Sequence, residues 1–135
     1  MHRHILIPVA LDHEGLVERK ISLARALLAE NGRITLLTVL ENVPGFVSEF
    51  VTVKETNSLT AEVNARLEAA AGGASDIGTT VETGKPGVRI IHFAEQHGVD
   101  LIVVGSHQPG VQDYFLGSTA ARVARRASCA VYILR

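Results

Sequence analysis

One cysteine, one methionine and no tryptophan occur in 135 residues, and aromatic side chains make up only 4% of the chain. A lone Cys129 excludes an internal disulfide, a CxxC redox pair and a cysteine-built zinc site, and it fits a reducing compartment. Excess charge of either sign is also missing. Thirteen Lys and Arg stand against 14 Asp and Glu, a formal net charge of −1, so the field that steers a protein to nucleic acid or an anionic membrane is absent. No apolar run approaches the ~20 residues that span a bilayer, and the opening MHRHILIPVALDHEG lacks a small-residue cleavage pattern. The expectation is a soluble, cytoplasmic protein. There is no low-complexity tract, convincing repeat or linker. What remains is a 47% apolar chain, long enough to bury roughly two-thirds of its unfolded surface, which predicts a single domain over 1–135.

The apolar patterning alternates between two periods. His4–Leu11 is an unbroken β-rich run that Pro8 should end early, because proline removes a ladder donor. Val17, Ile21, Ala24, Leu27 and Leu28 then recur at helical spacing up to an Asn31–Gly32 stop. A second strand is expected over Arg33–Glu41, followed by an ambiguous stretch, Asn42–Asn57. The next helix should run over about 58–71, capped by Ser58, with Leu59, Val63, Leu67 and Ala70 on one face. Strands follow at about Ile77–Thr83 and Asp100–Gly105, on either side of a helix that begins near Pro86 and stops at Gly98. A helix over about Ser118–Ala127 and a strand over Ala130–Leu134 finish the chain. Five strands alternating with four helices predict an α/β protein with an open, doubly wound parallel sheet and helices on both faces. In such sheets ligands bind beyond the carboxyl ends of the strands, where strand order reverses.

The loops after the first and fourth strands are therefore the places to look for chemistry. Gly105, Ser106 and His107 follow the fourth strand, and Gly117, Ser118 and Thr119 open the last helix. Free helix-terminal amides and two hydroxyls make an anion cradle; equally, the glycines serve turns and Ser118 caps a helix. The run matches neither GxxxxGK[ST] nor GxGxxG. His107 is either a phosphate donor or proton carrier or an ordinary loop histidine. Asp12, just past the first strand, can accept from a ribose, help to hold Mg²⁺, or cap the following helix. His2, His4 and His13 do not have the spacing of a metal site, and His92 and His97 read as packing or surface residues on the third helix. Asp113 reads as solvated, Lys85 as part of a helix start, and Arg122, Arg125 and Arg126 as favourable charges near a helix C-terminus. No Ser-His-Asp order, carboxylate pair or metal cluster stands out, so no enzyme mechanism is expected.

VDLIVVGSHQPGVQDYFLGSTAARVARRASCAVYILR, together with ILIPVALDHE at the start, ITLLTVLENVP after the first helix and Gly84, resembles the universal stress protein family over nearly the whole chain. The resemblance implies strand order 3-2-1-4-5, ATP or a related adenine nucleotide, with or without Mg²⁺, at the reversal, and homodimers through the final strand. It implies that Pro8, Val9 and Ala10 line the adenine end, that Val39 contacts the base, and that Gly105, Ser106, His107, Gly117, Ser118 and Thr119 surround ribose and phosphates. Asp12 stands two residues beyond Ala10, which occupies the place of the family's usual aspartate. Gln108 takes the place of the second glycine in Gly-x-x-Gly, and the interval from Gly105 to Gly117 is one residue short. This GSHxPG…YFLGS form is similar to a branch that includes members associated with TRAP-type solute transporters. The implied function is a nucleotide-binding stress-response or transporter-associated regulator. The alternative is a nucleotide-independent interaction module on the same fold.

Overall fold

The computed structural model describes residues 1–10, 16–41, 53–106 and 116–135. Strand β1 (His2–Pro8), helix α1 (Val17–Leu27), strand β2 (Leu28–Leu40), helix α2 (Val53–Ala71), strand β3 (Ile77–Thr83), helix α3 (Pro86–Gln96), strand β4 (Leu101–Gly105), helix α4 (Ser118–Arg126) and strand β5 (Ala130–Leu134) follow one another. The strands form one sheet in the order β3-β2-β1-β4-β5, and every pairing is parallel. The sheet is the expected open, doubly wound one.

Alternation along the strands sorts the core into two layers. Ile5, Ile7, Ile34, Leu36, Leu101 and Val103 pack with Val17, Ala24 and Leu67 from α1 and α2. On the other face Leu6, Leu37, Ile102 and Val104 meet Ile90 and Phe93 of α3 and Ala120 and Val123 of α4. Continuously apolar strands are what burial on both faces requires. Pro8 is the last residue of β1, as its missing donor demands.

Strand β1 begins two residues earlier than expected, at His2, and three boundaries differ by more. Helix α1 ends at Leu27, and the chain turns extended at Leu28 (φ −80°, ψ 133°) to pair with His2. Asn31, at φ 63°, lies inside β2, where the register jumps between the pairs His2–Leu28 and His4–Arg33. The Asn-Gly turn signal is thus used as a bulge and not as a helix stop. Helix α2 already runs from Val53, so Ser58 lies within it and caps nothing. Its buried stripe includes Val63 and Leu67, whereas Leu59 is 46% exposed. The helix ends as expected, with Gly72 at φ 66° donating its amide to the carbonyls of Glu68 and Ala69.

The amino-terminal end of the sheet is sewn shut. The Asp100 carboxylate accepts the amides of Arg3 (2.9 Å) and His4 (3.2 Å), and the Asp100 amide donates to the His4 carbonyl. The His4 ring bridges the Thr35 hydroxyl and the His97 carbonyl beneath this clasp.

Candidate functional site

At the opposite end the two central strands part. Strands β1 and β4 pair at Ile5–Leu101 and Leu6–Ile102, whereas β1 stays with β2 as far as Pro8–Leu37 and β4 stays with β5 as far as Gly105–Leu134. Each central strand thus follows its outer neighbour past the point where the two are joined. The result is a crevice between Pro8 and Gly105, at the reversal of strand order, with helices leaving in opposite directions.

The walls are fixed by short backbone bonds. On the β1 side the Val9 amide donates to the Leu37 carbonyl and the Thr38 hydroxyl donates to the Val9 carbonyl, both at 2.8 Å. Val9 turns its side chain into the α1 layer of the core, Pro8 is half-buried, and Ala10 is exposed. Val39 sits in the register beyond the last β1 pair and packs partly against the α3 layer. On the β4 side Ser106 is buried; its amide donates to the Leu134 carbonyl, and its carbonyl accepts the Gly117 amide at 2.7 Å. That bond ties the start of α4 to the end of β4. Gly117 is the N-cap (φ −57°, ψ 154°), with no side-chain cap bond, and Ser118 (exposed) and Thr119 (half-buried) occupy the first turn. The helix's positive end and its free amides therefore lie beside the crevice.

Pro8, Val9, Ala10, Val39, Gly105, Ser106, Gly117, Ser118 and Thr119 thus gather around this one end of the sheet. Asp12 and His107 lie outside the described residues. Among the described residues no group of three His, Cys, Asp or Glu side chains is placed to hold a metal ion. No described helix is long and apolar enough to cross a membrane.

Sequence reasoning missed one residue. Lys20, on the inward face of α1 between Val17 and Ala24, is only 5% exposed and points its ammonium at the Pro8 carbonyl, 3.3 Å away. A Cβ placed on Gly105 would stand 3.7 Å from Lys20 Nζ and 3.5 Å from Leu16 Cδ1. The amine therefore occupies the gap between the parting strands. Burial lowers its pKa below the ordinary lysine value. The signal was present in the sequence: a lysine three residues after Val17 and four before Ala24 stands on an apolar helical stripe.

A second concavity, of about 320 Å³, lies on the α3 side of the sheet, where Arg33, Thr80 and Glu82 face His97. It is polar and shallow, and it is separate from the crevice.

Comparison with known proteins agrees with this architecture. Universal stress protein G of Salmonella typhimurium is 28% identical over 144 aligned positions, covering 100% of both chains. The solved structure of the hypothetical protein MJ0577 superposes with a TM-score of 0.79 at 26% identity, covering 99% of this chain and 96% of that one. A universal stress protein solved in complex with cAMP superposes with a TM-score of 0.63 at 25% identity, covering 99% and 97%. The model of the universal stress protein family matches residues 1–135, so a parallel sheet in the order 3-2-1-4-5 with its crevice between β1 and β4 is here the fold of a chain that belongs to that family.

Proposed function

We propose that the protein is a regulator that binds an adenine nucleotide, ATP foremost, in the crevice between β1 and β4. The observation that carries this reading is the parting of the two central strands beside a glycine-ended β4 and the amino end of α4. The complex of a relative with cAMP supports the ligand class. The base lies toward Pro8, Val9, Ala10 and Val39, where the wall is apolar. Ribose and phosphates lie toward Gly105, Ser106, Gly117, Ser118 and Thr119, where amides and hydroxyls provide donors. Asp12 and His107 border the two ends in sequence, and Mg²⁺ accompanies a triphosphate.

In this reading occupancy changes a surface and not a covalent bond. The protein acts in the cytoplasm. Strand β5 is a sheet edge on which Tyr132 is 42% exposed, which suits homodimerisation through that strand. The regulated partner in this reading is a TRAP-type transporter, on the resemblance of the GSHxPG…YFLGS run to members associated with such transporters.

Calorimetric titration of nucleotide-stripped protein with MgATP tests the reading, with Gly117→Val as control. The φ of −57° at Gly117 is open to valine, so the substitution adds bulk at the rim without straining the backbone. Saturable binding that the variant loses while keeping its unfolding midpoint is the expected result. Absence of binding, by heat and by competition with a labelled nucleotide, overturns it in favour of a nucleotide-independent interaction module.

A further inference from the structure

Lys20 is expensive where it stands. An ammonium withdrawn from water needs a counter-charge or a full set of acceptors, and this one has the Pro8 carbonyl at 3.3 Å. An ammonium has three donors. Among the described residues no carboxylate lies within ion-pairing distance of it. An apolar side chain would fill the same position on the α1 stripe, between Val17 and Ala24, at no such cost.

Its location gives the charge a use. The amine stands between Pro8 and Gly105, the two residues at which the central strands have separated. Gly105 leads directly into Ser106, whose carbonyl holds the first turn of α4 in place through the Gly117 amide. A buried cation and the positive end of a helix therefore approach the carboxyl end of β4 from opposite faces of the sheet, α1 on one side and α4 on the other. The absence of a side chain on Gly105 leaves the amine next to bare backbone. Two positive sources converging on one strand end suit an anion, and neither helps an uncharged ligand.

We propose that Lys20 is the residue that reads the phosphate of the bound ligand, so that the crevice selects phosphorylated nucleosides over free ones. The inference rests on the nucleotide reading of the same crevice. Phosphate oxygens supply the acceptors and the counter-charge that the ammonium lacks, and the low dielectric around it strengthens the bond. Burial, which depresses the lysine's pKa in the free protein, is offset when the anion arrives.

The test is a ligand series of adenosine, AMP and ATP titrated into wild type, Lys20→Met and Lys20→Arg, with the thermal midpoint of each free protein recorded alongside. Methionine keeps the length and flexibility of the stem and removes the charge. Lys20→Met should keep or raise the midpoint, bind adenosine within about twofold of wild type, and lose about ten- to a hundredfold in affinity for AMP and ATP, the worth of one hydrogen bond to a charged group. Lys20→Arg should recover part of that loss. Equal losses for adenosine and the phosphorylated ligands, or none for any, would overturn the role of Lys20 while leaving the nucleotide reading in place. A clearly lower midpoint in Lys20→Met with unchanged ligand preference would make Lys20 a structural strut and also overturn it. Wild-type protein that takes up none of the three ligands overturns the nucleotide reading itself, and the role of Lys20 with it.

Discussion

Replacing His4 by glutamine probes the closed end of the sheet, and the effect of pH on that replacement can be worked out from the hydrogen bonds. His4 is 5% exposed. Its Nδ1 lies 3.1 Å from the His97 carbonyl, which can only accept, so Nδ1 carries the hydrogen and Nε2 accepts from the Thr35 hydroxyl at 2.8 Å. Burial lowers the pKa of the ring, and the nearby charges of Arg33 and His97 push the same way. The bond to the His97 carbonyl and the Asp100 carboxylate oppose them without prevailing. The native state therefore keeps His4 neutral at a pH where the unfolded chain, with a value near 6.5, has begun to take up its proton. Below pH 6.5 the unfolded state binds more protons, so the contribution of His4 is complete above that pH. It declines as the pH falls, by at most about 1.4 kcal/mol per unit, until the folded ring itself protonates. Glutamine does not titrate. At about pH 7.5 His4→Gln should cost about 1–3 kcal/mol for the disturbed buried bonds, and the deficit relative to wild type should shrink as the pH falls below about 6.5. Urea unfolding of both proteins across that range gives the difference directly. A deficit that stays constant over the whole range would refute the claim that folding holds His4 neutral.

Three further substitutions or probes test other parts of the fold. Leu6→Ala removes a side chain with no exposed surface from the layer that also holds Leu37, Ile90 and Ile102, and should cost about 2–5 kcal/mol in urea unfolding; a loss below 1 kcal/mol, on the order of a surface change, would mean that this layer is loosely packed. Gly84, at φ 144°, would carry a Cβ only 2.9 Å from Arg89 Cγ and Cδ, while Arg89 pairs with Glu82 at 2.6 Å. Gly84→Ala should therefore cost about 1–3 kcal/mol, and an unchanged unfolding midpoint would contradict the strain. The Cys129 thiol is half-buried, and burial raises its pKa, so a disulfide reagent at mildly alkaline pH should modify native protein more slowly than protein in urea. Equal rates would show the thiol to be freely accessible.

The parts of the fold legible in the sequence are those where one period or one residue type decides. The apolar runs that became β1 and β4 cannot be half-exposed strands, and Pro8 cannot continue a ladder. The paired glycines after α2 and Gly98 after α3 stop their helices because they adopt the left-handed region at no steric cost. The errors arose where tertiary pairing competes with a local signal. Asn31–Gly32 has the chemistry of a helix stop, but Leu28 is drawn into pairing with His2 first, which moves the turn inside β2. The start of α2 was misplaced for a similar reason, since a serine is a cap only if the helix does not already run through it. At the site, glycines and hydroxyls announce a strand-to-helix junction from the sequence. The divergence of β1 from β4 is a property of the pairing register and leaves no mark on either strand alone. Lys20 did leave a mark, as a cation on an apolar stripe.

The two ends of the sheet spend their polar groups in opposite ways. At the amino end Asp100 takes two backbone amides, and the amides of Arg3 and His4 hold its carboxyl below the usual aspartate range despite the opposing effect of burial. His4 is engaged at both nitrogens. These partners are internal, so that end gains stability from them. At the carboxyl end the strands separate, α4 begins without a side-chain cap, and Lys20 brings a charge that one carbonyl does not satisfy. A parallel sheet makes this asymmetry available because every strand ends on the same side, and its parallel connections put helix starts there as well. Stability gathered at the clasped end can offset the cost of an underpartnered cation at the open one. Lys20→Met should then keep or gain stability as it loses phosphate recognition, whereas weakening the Asp100 or His4 bonds should lower stability and leave ligand preference untouched.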